Sequence, residues 1–137
     1  MRFSLSLLWI ALLATAALGH AAPFTAFRDG ETFTYRVSFA IFGHAGDIII
    51  AAHEEKQDGV DVMRVTTDTK SHGIVRALYA FDNNAEVVIE KATGRMLHVK
   101  ESGADPKRST DTEMVFDYKT RMATYTDRVR PERSETI

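Results

Sequence analysis

The side chains with the widest chemical range in this chain are His44, His53, His72 and His98 and a set of 19 acidic residues. Imidazoles and carboxylates together make zinc ligands when a short spacing such as HExxH brings them to one helix face. No such spacing occurs, and the four histidines fall on separate stretches. His53 and Glu55 would share a strand face, the one local pair, and solvated strand-end polar groups explain it more simply. No metal site and no cofactor are therefore expected. Glycoside hydrolysis needs two facing carboxylates, and Glu86 and Glu90, on one face of a strand, are the easiest pair to name; alternating acids more often mark the wet side. A serine hydrolase needs a nucleophile on a sharp elbow, and GxSxG is absent. Ser71 and His72 are adjacent in sequence, which does not bring their side chains together. Cysteine is absent, which excludes a thiolate nucleophile, a cysteine-ligated metal and a lipid-modified N-terminal cysteine. No glycine-rich loop joins a strand to a helix, so phosphate and dinucleotide sites are not expected. No catalytic residue is expected.

The aromatic residues are more suggestive. Phe33, Tyr35, Phe39, Tyr79, Phe81 and Phe116 are the candidate binding residues, with Phe42, Tyr118 and Tyr125 beside them. Rings on one face of a bent antiparallel sheet can hold an apolar ligand. Core packing is the default reading, because rings bury much area and a small domain needs it.

The elements that must position these rings are strands. Phe33, Tyr35, Val37, Phe39 and Ile41 alternate with Thr32, Thr34, Arg36 and Ser38, which predicts a strand over 31–42 with its ring-rich face on a core. Gly43 to Gly46 reverse the chain into a second strand over 46–55, where Ile48, Ile49 and Ile50 predict cover on both faces. Asp58-Gly59 is a hairpin signal. A third strand runs from Val60 to about Lys70, and its apolar parity slips at Val62 and Met63, predicting a bulge or a two-sided environment. Ser71 is placed to cap a short helical turn near 72–79. Further strands follow through Ala85 to Glu90, Met96 to Val99, Thr112 to Tyr118 and Met122 to Thr126. Ser102 to Arg108 reads as a polar loop, since Gly103 and Pro106 oppose regular structure. The last stretch, 128–137, is charged and reads as frayed. No connection is long enough for a crossover helix, so the fold class is all-β: an antiparallel meander of about seven strands, forming a strongly bent sheet or incomplete barrel.

The N-terminus has its own character. Arg2 precedes the uncharged run from Phe3 to Gly19, and Gly19-His20-Ala21 offers small residues at the −3 and −1 positions of a cleavage site, so residues 1–21 read as a secretory signal peptide. The domains expected are 1–21 signal, 22–127 one β domain and 128–137 tail. Removing Arg2 with the signal leaves 16 of the 17 basic side chains against 19 acidic ones, which argues against a nucleic-acid surface. The 45% apolar and 26% charged composition is that of a folded globular protein. Export points to the periplasm, with no membrane span once the signal is removed.

Read in order, the strand TFTYRVSF, then IFGHAGDIII, the block TTDTKSHGIVRALYAFDNNAEVVIE, TGRMLHVKESG and EMVFDYKTRMATY resemble an exported bacterial family, domain of unknown function 3108, over residues 27–126. Ala45-Gly46, Ser71-His72-Gly73 running into Tyr79, and Phe116-Asp117 carry most of the resemblance. It implies a β-rich envelope protein and supplies no activity. It also implies a longer chain, with further strands starting near RVRPERSETI, so either a truncated form or strands supplied from elsewhere is expected.

The function expected is a non-catalytic periplasmic module that binds or handles an apolar or amphipathic envelope component, such as a lipid or an acylated protein segment. The alternative is an assembly or scaffold subunit that pairs a protein partner through an open sheet edge. A hydrolase using Glu86 and Glu90 comes third.

Overall fold

A computed structural model describes residues 24–38, 41 and 43–137 of the chain. The expected signal peptide lies outside the described residues, as do Phe39 and Phe42. Eight antiparallel strands form one sheet whose spatial order is the order of the sequence, and the sheet does not close into a barrel. The strands are β1 (Thr32–Ser38), β2 (His44–Gln57), β3 (Val60–Ser71), β4 (Asp82–Glu90), β5 (Met96–Asp105), β6 (Arg108–Asp117), β7 (Met122–Asp127) and β8 (Glu135–Thr136). One helical turn, α1 (Gly73–Leu78), joins β3 to β4, and a 3₁₀ turn at Pro131–Arg133 precedes β8. Short reversals force this topology, because tight turns can only join antiparallel neighbours. One of the two-residue turns, at Asp58 and Gly59, has positive φ at both positions (51° and 81°), the geometry that matches the twist of two paired strands.

Residues opposite one another in an antiparallel pair share a face, so the register assigns the two sides of the sheet. One row runs Ala52, Val65, Val87, Val99, Met114, Tyr125 across six strands, and another runs Phe33, Ile50, Thr67, Ala85, Glu101, Thr112. This is the apolar side. The other side carries Arg64, Val88 and His98 in one row, with Glu86, Lys100 and Glu113 in the next. The expected alternation is therefore present.

What that alternation does not produce is a dry face. All of β1 is exposed, with Phe33 at 37%, Tyr35 at 52% and Val37 at 41%, and Ile41 lies almost wholly in water. The expected core behind β1 is thus corrected: β1 is an edge strand of a single-layer sheet, and no second layer covers it among the described residues. The triple isoleucine is corrected for the same reason. Ile48 and Ile50 are half-buried on the apolar side, while Ile49 points to the other and is exposed. Among the described apolar residues, burial is confined to Ala45, Ala52, Val62, Met63 and Val88.

Val62 and Met63 lie on opposite sides of β3, both with no accessible surface. The pairing of β2 with β3 runs through them without a shift, so the slip in parity reflects a two-sided environment and not a bulge. Bulges occur instead where β1 meets β2, between Val37 and Ser38, and where β4 meets β5, between Val88 and Ile89.

Two further expectations change. Ser102 to Arg108 is not a loop: β5 and β6 pair out to Asp105 and Arg108, leaving Pro106 and Lys107 as the turn. Gly103 is tolerated in the strand because a Cβ there would lie 2.6 Å from the Asp82 carbonyl oxygen and 2.5 Å from Asn83 Oδ1; β4 and β5 approach too closely for any other residue. The tail is not frayed either. β8 pairs with β7 through Thr136 opposite Thr124 and Glu135 opposite Tyr125, and Ala123 and Ile137 exchange both backbone hydrogen bonds at 2.7 and 2.9 Å. Among the described residues no helix is long and apolar enough to cross a membrane.

Candidate functional site

The five candidate rings among the described residues do not meet in one place. Phe33 and Tyr35 sit on the apolar side of β1; Phe33 meets Phe27 edge to face at 6.3 Å between ring centres, and Phe27 in turn lies 6.3 Å from Phe24. Phe39 lies outside the described residues. Tyr79 and Phe81 flank the end of α1. Ser71, expected as the cap of that turn, serves this junction instead: its hydroxyl accepts from the Phe81 N–H at 2.9 Å and donates to the Tyr79 carbonyl at 3.2 Å. His72 takes the cap position without a side-chain bond. The Tyr79 phenol is pushed up, by burial first and then by the Asp105 carboxylate it bonds. Phe116, on β6, lies five strands from Phe33.

Phe116 lines an open cleft of about 590 Å³. Phe116 and Tyr118 stack with ring centres 6.4 Å apart, and Met122, Ala123 and Ile137 complete an apolar lining. Ile137 is present because β8 folds back onto β7, so the cleft depends on the tail. Arg95, Arg121 and Asp117 also line it. The Arg95 guanidinium lies 4.8 Å from the centre of the Tyr118 ring, within the range of a cation–π contact, and the Tyr118 hydroxyl donates to the Met96 carbonyl at 2.9 Å. These contacts fix the wall on which Arg95 stands. Asp117 is held below the ordinary carboxylate range by the Thr120 hydroxyl and the backbone N–H groups of Lys119 and Thr120. Its charge is thus occupied by the turn, whereas Arg121, at φ 61°, closes that turn. Chemically the cleft offers apolar area with guanidinium groups in its walls, which suits an amphipathic molecule with an acidic head.

Sequence reading named Phe116 and Tyr118 but missed Arg95, Met122 and Ile137 as their neighbours. The turn-forming pair Thr93-Gly94 stands directly before Arg95 in the sequence. The return of Ile137 was hidden by the polar text before it.

The carboxylates named for hydrolysis are engaged elsewhere. Glu86 pairs with Arg64, and Glu90 accepts from the Thr93 hydroxyl. The histidines are less scattered than their spacing implies. His53 pairs with Asp29 at 2.9 Å and His98 with Glu113 at 2.7 Å, but His44 and His72 stack on one another with Asp47 beside both.

A family model described as "Protein of unknown function (DUF3108)" matches residues 34–137. The match includes the tail, beyond the 27–126 over which the resemblance is read from sequence. No curated protein and no solved structure matches the chain.

Proposed function

Because the chain belongs to the DUF3108 family, whose name carries no activity, we propose from the cleft itself that this protein binds an amphipathic cell-envelope component with an acidic head, such as a lipid or an acylated segment. The carrying observation is the 590 Å³ cleft walled by Phe116, Tyr118, Met122 and Ile137 with Arg95 and Arg121. Apolar burial would supply the affinity, and the guanidinium groups would select the head. The half-buried apolar side of the sheet extends the same chemistry toward β1. The signal-like residues 1–21 support a periplasmic setting, where such molecules are handled. Cofactors and catalysis have no part in this reading.

Native mass spectrometry of protein purified without detergent, with oleate displacement of N-phenyl-1-naphthylamine, tests it. Co-purifying lipid and saturable displacement are expected, with Phe116→Ala and Arg95→Ala each weakening oleate by about tenfold, the loss of roughly one good ring or ion contact. Absence of both lipid and dye binding, or wild-type affinity in both variants, would end the proposal.

A second reading is favoured by one observation: every residue of β1 is exposed, and its outer edge pairs with no strand among the described residues. Such an edge can accept a strand from a partner chain. Light scattering should then find a stable dimer or complex, and a strict monomer at millimolar concentration would count against it.

A further inference from the structure

We propose that His44, Asp47 and His72 form a binding site for a divalent first-row transition metal of the zinc type, separate from the cleft. Residues three apart on a strand normally face opposite sides. The bulge at the start of β2 inserts Ala45 as an extra residue, so that Ser38 pairs with His44 while Val37 pairs with Gly46. That single insertion moves His44 onto the face that holds Asp47. Gly46 permits it, because a Cβ there would lie 2.7 Å from the Lys70 carbonyl oxygen. His72 arrives from the other direction: its N–H donates to the Ala45 carbonyl at 2.7 Å, and Gly73, at φ 56°, turns the chain away behind it.

The three side chains converge as ligands would. His44 Nε2 lies 2.8 Å from Asp47 Oδ1, and His72 Nε2 lies 3.2 Å from Asp47 Oδ2. The two imidazoles stack with centres 4.9 Å apart, and all three ligand atoms fall within 4.8 Å of one another. Zinc bonds of about 2.0–2.1 Å set tetrahedral ligand atoms roughly 3.3 Å apart. The two imidazoles approach different oxygens of the Asp47 carboxylate, at 2.8 and 3.2 Å, so a common ion is reached by a modest swing of the two partly exposed rings about that carboxylate. Lys70, across from Asp47 in the register, is turned to Asp68 at 3.2 Å, which leaves the Asp47 carboxylate to the histidines. Two imidazoles with one carboxylate suit zinc, nickel or copper(II), and they do not suit calcium or magnesium, which take oxygen ligands. Three protein ligands at an accessible site leave a further position for water. A bound ion would also tie the start of β2 to the junction of β3 with α1.

The test is calorimetric titration of zinc chloride into chelator-stripped, untagged protein expressed from its full sequence, followed by histidine side-chain NMR. One zinc per chain is expected, with the ring signals of His44 and His72 shifting and those of His53 and His98 staying in place. His44→Ala, His72→Ala and Asp47→Asn should each weaken zinc by at least about tenfold, His53→Ala should not, and calcium should not compete. No saturable binding, shifts at His53 or His98 instead, or unchanged affinity in a folded His44→Ala, His72→Ala double variant would overturn the proposal. Should that variant lose its sheet signal in circular dichroism, the NMR shifts of the unaltered protein decide alone.

Discussion

Met63 shows how few residues keep this sheet together. Its side chain has no accessible surface, while Phe33 is 37% exposed, although sequence alone would rank the ring as the larger contribution to a core. Removing buried methylene groups costs the lost transfer energy and the cavity left behind. Met63→Ala is expected to lower the unfolding free energy by about 2–5 kcal/mol, and Phe33→Ala by less than half as much, in urea denaturation followed by circular dichroism. Equal losses would show that β1 is covered after all. That Val62 and Met63 are unusual was legible, because two adjacent apolar residues break the alternation of a strand, but the same break at Ile48, Ile49 and Ile50 leaves Ile49 exposed. The exposure of Phe33 was not legible. Alternation reports which side a residue takes and says nothing about whether another layer lies over that side.

At the scale of the element, the C-terminal segment folds back because of one buried carboxylate. Asp127 is 1% exposed. Burial alone would raise its carboxyl, but the Arg130 and Val129 N–H groups and the Arg130 guanidinium outweigh that and hold it below the ordinary range. Those N–H groups donate to Oδ1 at 2.8 and 3.0 Å, and Ser134 Oγ accepts from the Asp127 N–H at 2.9 Å. The turn built in this way delivers β8 to β7 and Ile137 to the cleft. Asp127→Ala should release β8, raising amide exchange at Ala123 and Ile137 by roughly tenfold or more while the centre of the sheet stays protected. Unchanged exchange would mean that the strand holds itself. Composition hid this turn: RVRPERSETI looks like a solvated tail, and only the structure shows the Asp127 carboxylate to be inside, bonded by the N–H groups that follow it. The bulge that brings His44 beside Asp47 was hidden likewise, although the glycines of GHAG and SHG marked both places as unusual.

Across the whole molecule, the polar side of the sheet carries a transverse row of charge. Arg64 pairs with Glu55 at 2.5 Å and with Glu86; His98 lies 4.0 Å from Glu86 and 2.7 Å from Glu113; Arg128 pairs with Glu113 and with Asp111 at 3.1 Å. The row crosses from β2 to the end of β7, on the side that Val62 and Val88 occupy. The Arg64 guanidinium holds Glu55 below the ordinary glutamate range, and the His98 hydrogen bond, then Arg128, does the same for Glu113. A carboxyl whose folded pKa is depressed stabilises the fold fully above its unfolded value and loses that contribution as pH falls through the folded value. Thermal midpoints should therefore fall as pH drops below about 4.5, and Glu113→Gln should flatten that fall while lowering the midpoint at neutral pH. A variant with the same acid dependence as the unaltered protein would remove Glu113 from the account.

The coincidence of chain order with strand order from β1 to β8 also governs how the molecule forms. Each strand finds its partner next to it along the chain, so the loops to be closed are short and their entropy small. For an all-β protein this is a low contact order, and folding should be fast for its class and proceed by successive addition of hairpins, with no slow search for a distant strand.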